Sequence, residues 1–226
     1  MQKIKAMLAL QQELNDATNG KGWESGITKN DKIIDWRRCI YLEAAELIES
    51  YPWKHWKNID AQPDYDNIKI EAVDIWHFVM SEALRIYSVE DKGGISSLAM
   101  SITKQANYDD FSKEVITEHG NHYDEITKCE EFMRSLFCQE PIEILIDKFF
   151  ILAKVSGLNL DTLYTLYIGK NILNQFRQQH GYKDGSYIKI WNDREDNVVM
   201  QEILERDSEV SPEILLEKLE KAYPKR

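Results

Sequence analysis

Apolar residues recur at three- and four-residue intervals through most of the chain, and five prolines and ten glycines interrupt them. Ile4, Met7, Leu8, Leu10 and Leu14 trace a stripe across residues 2–18, which predicts an amphipathic helix ending at Asn19-Gly20. Trp23 to Ile34 has no such period and reads as loop, with Asp35 placed to cap the next helix. That helix is expected over about Trp36–Ser50, with Ile40, Leu42, Ala44, Ala45 and Leu47 as core-type positions, until Tyr51-Pro52 stops it. A turn-rich linker with Pro63 leads to a second helix over about Tyr65–Tyr87, where Ile70, Val73, Ile75 and Phe78 are core-type. Gly93-Gly94 is the clearest break. Residues 95–140 carry helical patterns rich in charge and read as a peripheral or mobile segment. Pro141 opens an apolar helix through Val155, which Gly157 ends. A further helix over about Leu160–Gln179 precedes a glycine-punctuated stretch at 181–185, and two short helices separated near Ser211-Pro212 form the tail. The expected fold class is all-α, with core helices in about 1–90 and 141–195, a peripheral segment in about 91–140 and C-terminal helices in 196–226.

Two acidic spacings stand out against this pattern, Glu43-x-x-Glu46 in one helix and Glu71-x-x-Asp74 in the next. Residues three apart share a helix face, so each pair points one way. Four carboxylates among core-type residues repel one another, and burying an unpaired charge is costly, so a cation is expected between them. The donors are all hard oxygens, and no Cys or His pair accompanies them at zinc-like spacing. Mg²⁺, or Mn²⁺ in its place, suits such a set. One pair alone is what any solvated helix face of an acidic chain carries; two pairs on neighbouring apolar helices favour a metal.

Composition narrows the partners. The net charge of −11 opposes binding to nucleic acid or to an anionic membrane, which needs a basic field. It leaves a nucleotide open, because metal ions and a few local cations accept phosphates. Cys39, Cys129 and Cys138 are odd in number and form no C-x-x-C, so reduced, packed thiols of a cytoplasmic protein are expected. Met1 to Leu14 is amphipathic rather than a signal peptide, and no apolar run is long enough to span a bilayer.

Three polar groupings offer ligand chemistry. Gln11, Gln12 and Asn15 cluster at one end of the first helix, and amides match the mixed donor and acceptor edge of a base, although an ordinary polar helix surface is the plainer alternative. Trp53-Lys54-His55-Trp56-Lys57 suits stacking on a base and holding a phosphate, although tryptophans also fill gaps between helices. His77 follows Asp74 by three residues, which makes it either a neighbour of the acidic site or a satisfied core histidine. Lys170, Asn174 and Arg177 fall on one helix face, and Tyr182, Lys183 and Lys189 follow around Gly185. Cations gathered here in an otherwise acidic chain suggest a place for a triphosphate; a solvated helix face with a polar loop is the plainer alternative.

The order Gln-Gln-x-x-Asn, Glu-x-x-Glu, Glu-x-x-Asp-x-x-His resembles the all-α NTP pyrophosphatase (MazG-like) superfamily. The Trp36-Arg37-Arg38-Cys39-Ile40-Tyr41 lead-in, the Trp53–Lys57 segment and the stretch Lys170-Asn171-x-x-Asn174-x-x-Arg177-x-x-His180-Gly181-Tyr182 are similar to its dimeric dUTPase branch. The resemblance covers nearly the whole length, with residues 90–140 least diagnostic. It implies a homodimer of helical bundles, each with a rigid core and a more mobile part, hydrolysing dUTP to dUMP and pyrophosphate with Mg²⁺ and also accepting dUDP. By position, Glu43, Glu46, Glu71 and Asp74 are the implied metal ligands, and Glu43 or Glu46 orients or deprotonates the attacking water. Gln11 or Gln12, with Asn15, would read the uracil edge, Trp56 would wall the base pocket and Asn174 would contact the nucleoside. Lys170, Arg177, Tyr182 and Lys189 would bind phosphates and sugar. Two rivals stand beside this reading: a dCTP-preferring or broad-specificity pyrophosphatase of the same superfamily, and a non-catalytic helical dimer that binds nucleotide or scaffolds partners.

Overall fold

A computed structural model describes residues 1–58, 60–114, 119–206 and 211–224. Parts of the 95–140 and 196–226 stretches therefore lie outside the described residues. The described chain is helical apart from one two-stranded ribbon and an isolated bridge between Ile27 and Ile33, as the all-α expectation required. It divides into two compact units, Met1–Thr162 and Leu163–Arg226.

In the first unit, α1 (Gln2–Asn19) is followed by a 3₁₀ turn (Trp23–Ser25), α2 (Trp36–Glu49) and α3 (Tyr65–Val89). Both later helices start where a side chain satisfies an orphan backbone donor: Asp35 accepts from the Arg38 amide at 2.9 Å and Asp64 from the Asn67 amide at 3.0 Å. Helix α3 is the axis of this unit. It buries residues on every side, among them Ile68, Ala72, Ile75, Trp76, Val79, Met80 and Ala83, as expected of a helix enclosed by others. Against it pack α1, α2, α4 (Ile95–Ile102) and α7 (Ile142–Val155), while α5 (Tyr108–Phe111) packs on α7, and α6 (His122–Phe137) on both α2 and α7. Trp76 stacks on Phe149 with centroids 4.8 Å apart, and Phe111 on Phe150 at 5.0 Å, tying α3, α5 and α7 into one aromatic core.

Several expectations are corrected here. The buried stripe of α1 is Ile4, Met7, Leu8, Gln11 and Asn15; Leu10 and Leu14 are only half-buried, so two amides occupy positions expected to be aliphatic. Leu42 is 50% exposed and Ala45 is exposed, because α2 meets its neighbours through Ile40, Ala44 and Leu47. The segment read as peripheral sends Leu98, Ala99, Ile102, Phe111, Cys129 and Phe132 into the core. Most of its described charges lie on outward faces, with Glu125 the buried exception, and they obscure the apolar stripe in a linear reading. All three cysteines are free, but only Cys129 is buried; Cys138 is exposed.

The second unit holds most of α8 (Leu160–Gln179), then β1 (Ile190–Trp191), β2 (Arg194–Glu195), α9 (Asp196–Arg206) and α10 (Pro212–Ala222). The ribbon was not anticipated from the sequence. Its turn residues Asn192 (φ 49°) and Asp193 (φ 63°) both sit in the left-handed region, which suits a tight hairpin and favours those two residue types. Gly169 has a steric role: a Cβ there would come within 2.7 Å of Leu204 Cδ1 and 3.1 Å of Met200 Sδ, so its absence lets α8 and α9 approach closely. Phe176, His180, Tyr187, Trp191 and Tyr223 form a ring cluster beneath the ribbon, with Phe176 and His180 stacked at 3.9 Å and Tyr187 and Tyr223 at 5.5 Å.

Candidate active site

The acidic pairs lie where α2 packs on α3. On α2, Glu43 and Glu46 flank the stripe that buries Ile40, Ala44 and Leu47, so their carboxylates stand at the edge of the helix interface. On α3, Glu71 is 7% exposed. One oxygen from each of these three residues lies within 4.8 Å of the others. Exposure rises from buried Glu71 through half-buried Glu43 to exposed Glu46, so the cluster opens from the helix seam toward solvent. Asp74, one turn beyond Glu71, is half-buried and is not among the three converging residues. The donor set fits a small hard divalent cation: three carboxylates from two rigid helices, no sulfur or nitrogen, and an open side for water or phosphate oxygens.

Further along α3 sits a second polar group, almost wholly buried. Gln11, Asn15, His77 and Ser81 are 2%, 3%, 4% and 0% exposed. Gln11 Nε2 donates to Ser81 Oγ at 3.0 Å and to Asn15 Oδ1 at 3.2 Å, while Asn15 Nδ2 donates to Ser81 Oγ at 3.0 Å. Gln11 Oε1 lies 2.7 Å from His77 Nδ1, a distance that requires the proton on Nδ1. These bonds satisfy amides that would otherwise be costly to bury. Gln12 belongs elsewhere: its Nε2 donates to Glu24 Oε1 at 2.8 Å and to Asp16 Oδ1 at 3.2 Å. Of the two glutamines expected near a base, the fold joins Gln11 to Asn15 and ties Gln12 to the 3₁₀ turn. Ser81 was not singled out in the sequence, although a serine inside the apolar run Val79-Met80-Ser81-Glu82-Ala83-Leu84, four residues after His77, is itself a signal.

Trp56 lies on the loop after α2 with 62% of its surface exposed. It meets Trp53 edge-on at 5.7 Å and His55 at 4.9 Å, and Lys54 pairs with Glu49. An exposed indole held by a second indole is a ready stacking surface.

In the second unit, the predicted cations have partners within that unit. Arg177 makes a bidentate pair with Asp196, Nε to Oδ2 and Nη2 to Oδ1 both at 2.8 Å, with the aspartate side chain fully buried. Tyr187 donates to the same carboxylate at 2.8 Å. Burial by itself would raise the Asp196 carboxyl, but the hydrogen bonds and charge of Arg177, with the Tyr187 hydroxyl, hold it below the usual carboxylate range. Asn174 Oδ1 accepts from Arg177 Nη1 at 3.1 Å, and Lys170, itself 2% exposed, donates to Asn197 Oδ1 at 3.0 Å. Tyr182 is 51% exposed with Arg177 over its ring at 6.0 Å, and Lys189 pairs with Glu195 at 3.4 Å on the surface. Lys170, Asn174 and Arg177 thus share a face, as their spacing required, and that face anchors the start of α9.

Residues 3–182, from α1 to the turn after α8, match the family model described as dUTPase. No curated protein matches the chain.

Proposed function

The chain belongs to the dUTPase family and is a dUTP-hydrolysing enzyme, and from that premise we propose a Mg²⁺-dependent pyrophosphohydrolase whose centre is the α2–α3 seam. The observation that carries this reading is the convergence of Glu43, Glu46 and Glu71 oxygens within 4.8 Å. Those three residues would hold the metal, with Asp74 completing the set. When bound there, Mg²⁺ (or Mn²⁺) supplies charge neutralisation for the phosphates and lowers the pKa of a coordinated water.

The remaining work falls to the chain itself. Glu43 or Glu46, at the open side of the cluster, orients the attacking water and accepts its proton as the oxygen adds to the α-phosphorus. The bond from that phosphorus to the bridging oxygen breaks, giving dUMP and pyrophosphate, or phosphate when dUDP is the substrate. Asn15, with Gln11 behind it, reads the uracil edge. The midpoints of the acidic pair and the His77–Ser81 pair lie about six residues apart on α3, so roughly 10 Å along the axis, a span a nucleoside bridges from base to phosphate. Trp56 closes on the base from its loop. Lys170, Arg177, Tyr182 and Lys189 are assigned to phosphate and sugar, and Asn174 to the nucleoside, on their sequence positions. The enzyme acts as a cytoplasmic homodimer; none of its described helices is long and apolar enough to cross a membrane.

The test is pyrophosphate release from dUTP, dCTP, dTTP and UTP, each with Mg²⁺ and with EDTA. Turnover confined to dUTP and abolished by EDTA is expected. Hydrolysis that ignores EDTA removes the metal, and equal turnover of dCTP removes the uracil reading in favour of a broader pyrophosphatase.

A further inference from the structure

We propose that Ser81 is a positioning residue that sets which pyrimidine edge the Asn15 amide reads; the proposal rests on the uracil reading above. A serine hydroxyl has one hydrogen and two lone pairs. Two carbonyl-type acceptors lie near the Ser81 hydroxyl: the His77 backbone oxygen at 2.9 Å and Asn15 Oδ1 at 3.4 Å. The shorter contact, one helical turn back, takes the hydrogen. Both lone pairs then face amide donors, Gln11 Nε2 and Asn15 Nδ2, each at 3.0 Å.

That allocation fixes the polarity of the whole group. If Asn15 turned over, its Oδ1 would face a hydroxyl oxygen with no hydrogen to give, and its NH₂ would face the NH₂ of Gln11. Gln11 cannot turn in compensation, because its Oε1 is held by His77 Nδ1 at 2.7 Å and its Nε2 by Ser81 and Asn15. With all four residues buried, water is not at hand to soften either reversal. Ordinarily an asparagine amide reverses at little cost, and here it does not.

The consequence is chemical selectivity. In these bonds Asn15 uses one Nδ2 hydrogen and one Oδ1 lone pair, and it retains one of each for a ligand. An N–H beside a C=O matches the carbonyl and N3–H of uracil. Cytosine presents the mirror pattern, a bare N3 beside an amino group, which only a reversed amide satisfies. A freely turning asparagine therefore reads both bases, and one locked by Ser81 together with Gln11 reads uracil. Thymine has the same edge as uracil, so Ser81 has no leverage over its methyl group.

The experiment measures kcat/KM for dUTP, dCTP and dTTP in the wild type, Ser81→Ala and Ser81→Cys, with melting curves to confirm folding. Cysteine nearly preserves the volume while replacing a good acceptor by a poor one, so it decides the matter should the alanine variant not fold. The expected result is a fall of about 10-fold or more in the dUTP-over-dCTP ratio, with the dUTP-over-dTTP ratio unchanged. A general loosening of the core would move both ratios or only overall activity. An unchanged dUTP-over-dCTP ratio in a folded variant overturns the proposal while leaving the uracil reading intact. A wild type that turns over dCTP as readily as dUTP overturns the uracil reading itself, before any variant is made.

Discussion

Replacing Glu71 by Gln asks whether the acidic cluster is a metal site or a set of tolerated surface charges. The Glu71 oxygen lies within 4.8 Å of one oxygen on Glu43 and one on Glu46. Two unit charges 4.8 Å apart repel by about 3.5 kcal/mol at an effective dielectric of 20, before screening by solvent is counted. Glu46 is exposed and Glu43 half-exposed, so screening reduces the combined penalty to roughly 1 kcal/mol. Glutamine keeps the shape and removes one charge. In EDTA at low salt, Glu71→Gln is therefore expected to melt about 2–4 °C above the wild type. Mg²⁺ at 100 times its dissociation constant should stabilise the wild type by about 2.7 kcal/mol. The variant, with one ligand neutralised, should gain little and lose metal-dependent turnover. The order of stability thus inverts between EDTA and Mg²⁺. Thermal melts of both proteins under both conditions check this. Equal Mg²⁺-induced shifts in the two proteins, or none in the wild type, would refute the assignment of Glu71 to the metal.

Three further outcomes test the frame around the site. Asp196→Asn removes the fully buried charge opposite half-buried Arg177 and is expected to cost about 3–5 kcal/mol in denaturant melts. Because the Asp196 carboxyl lies lower when folded, its contribution is fully present above its unfolded value near pH 4 and lost as pH falls through the folded one. The variant should accordingly show a flatter acid limb of stability below about pH 4, and an identical limb would place the acid sensitivity elsewhere. Gly169→Ala drives a methyl against Leu204 and Met200 and should lower stability by about 1–3 kcal/mol, with a smaller loss in the double variant with Leu204→Ala; additive losses would mean the two positions do not touch. Trp56→Ala should raise KM for dUTP with kcat and melting temperature nearly unchanged, since the ring is 62% exposed; an unaltered KM would return Trp56 to the surface.

The all-α class, the approximate bounds of α1, α2, α3, α7 and α8, the Asp35 cap and the acidic pairs were legible because each is local. Helical period, capping chemistry and i,i+3 spacing act over one or two turns of chain, and the sequence carries them without reference to anything distant. Resemblance across the motifs named the family, and the match over residues 3–182 bears it out. Which members of a motif meet is a different matter. From spacing alone, Gln11 and Gln12 are equivalent partners for Asn15, yet the packing of α1 on α3 turns Gln11 toward Ser81 and Gln12 toward Glu24. Glu71 and Asp74 share a helix face, but the cluster in which Glu43 and Glu46 converge within 4.8 Å takes in Glu71. Arg177 reads as a free cation until Asp196, nineteen residues on, is found buried against it. Exposure followed the same rule: Leu42 lies outward and Phe111 inward because a neighbouring helix, not the residue's own hydropathy, decides which face is covered. What the sequence determined by itself was the set of helices and the chemistry each one carries. Only the tertiary structure decided which of those groups share a site, because the way each helix packs on its neighbours, which local spacing does not set, decides which side chains meet.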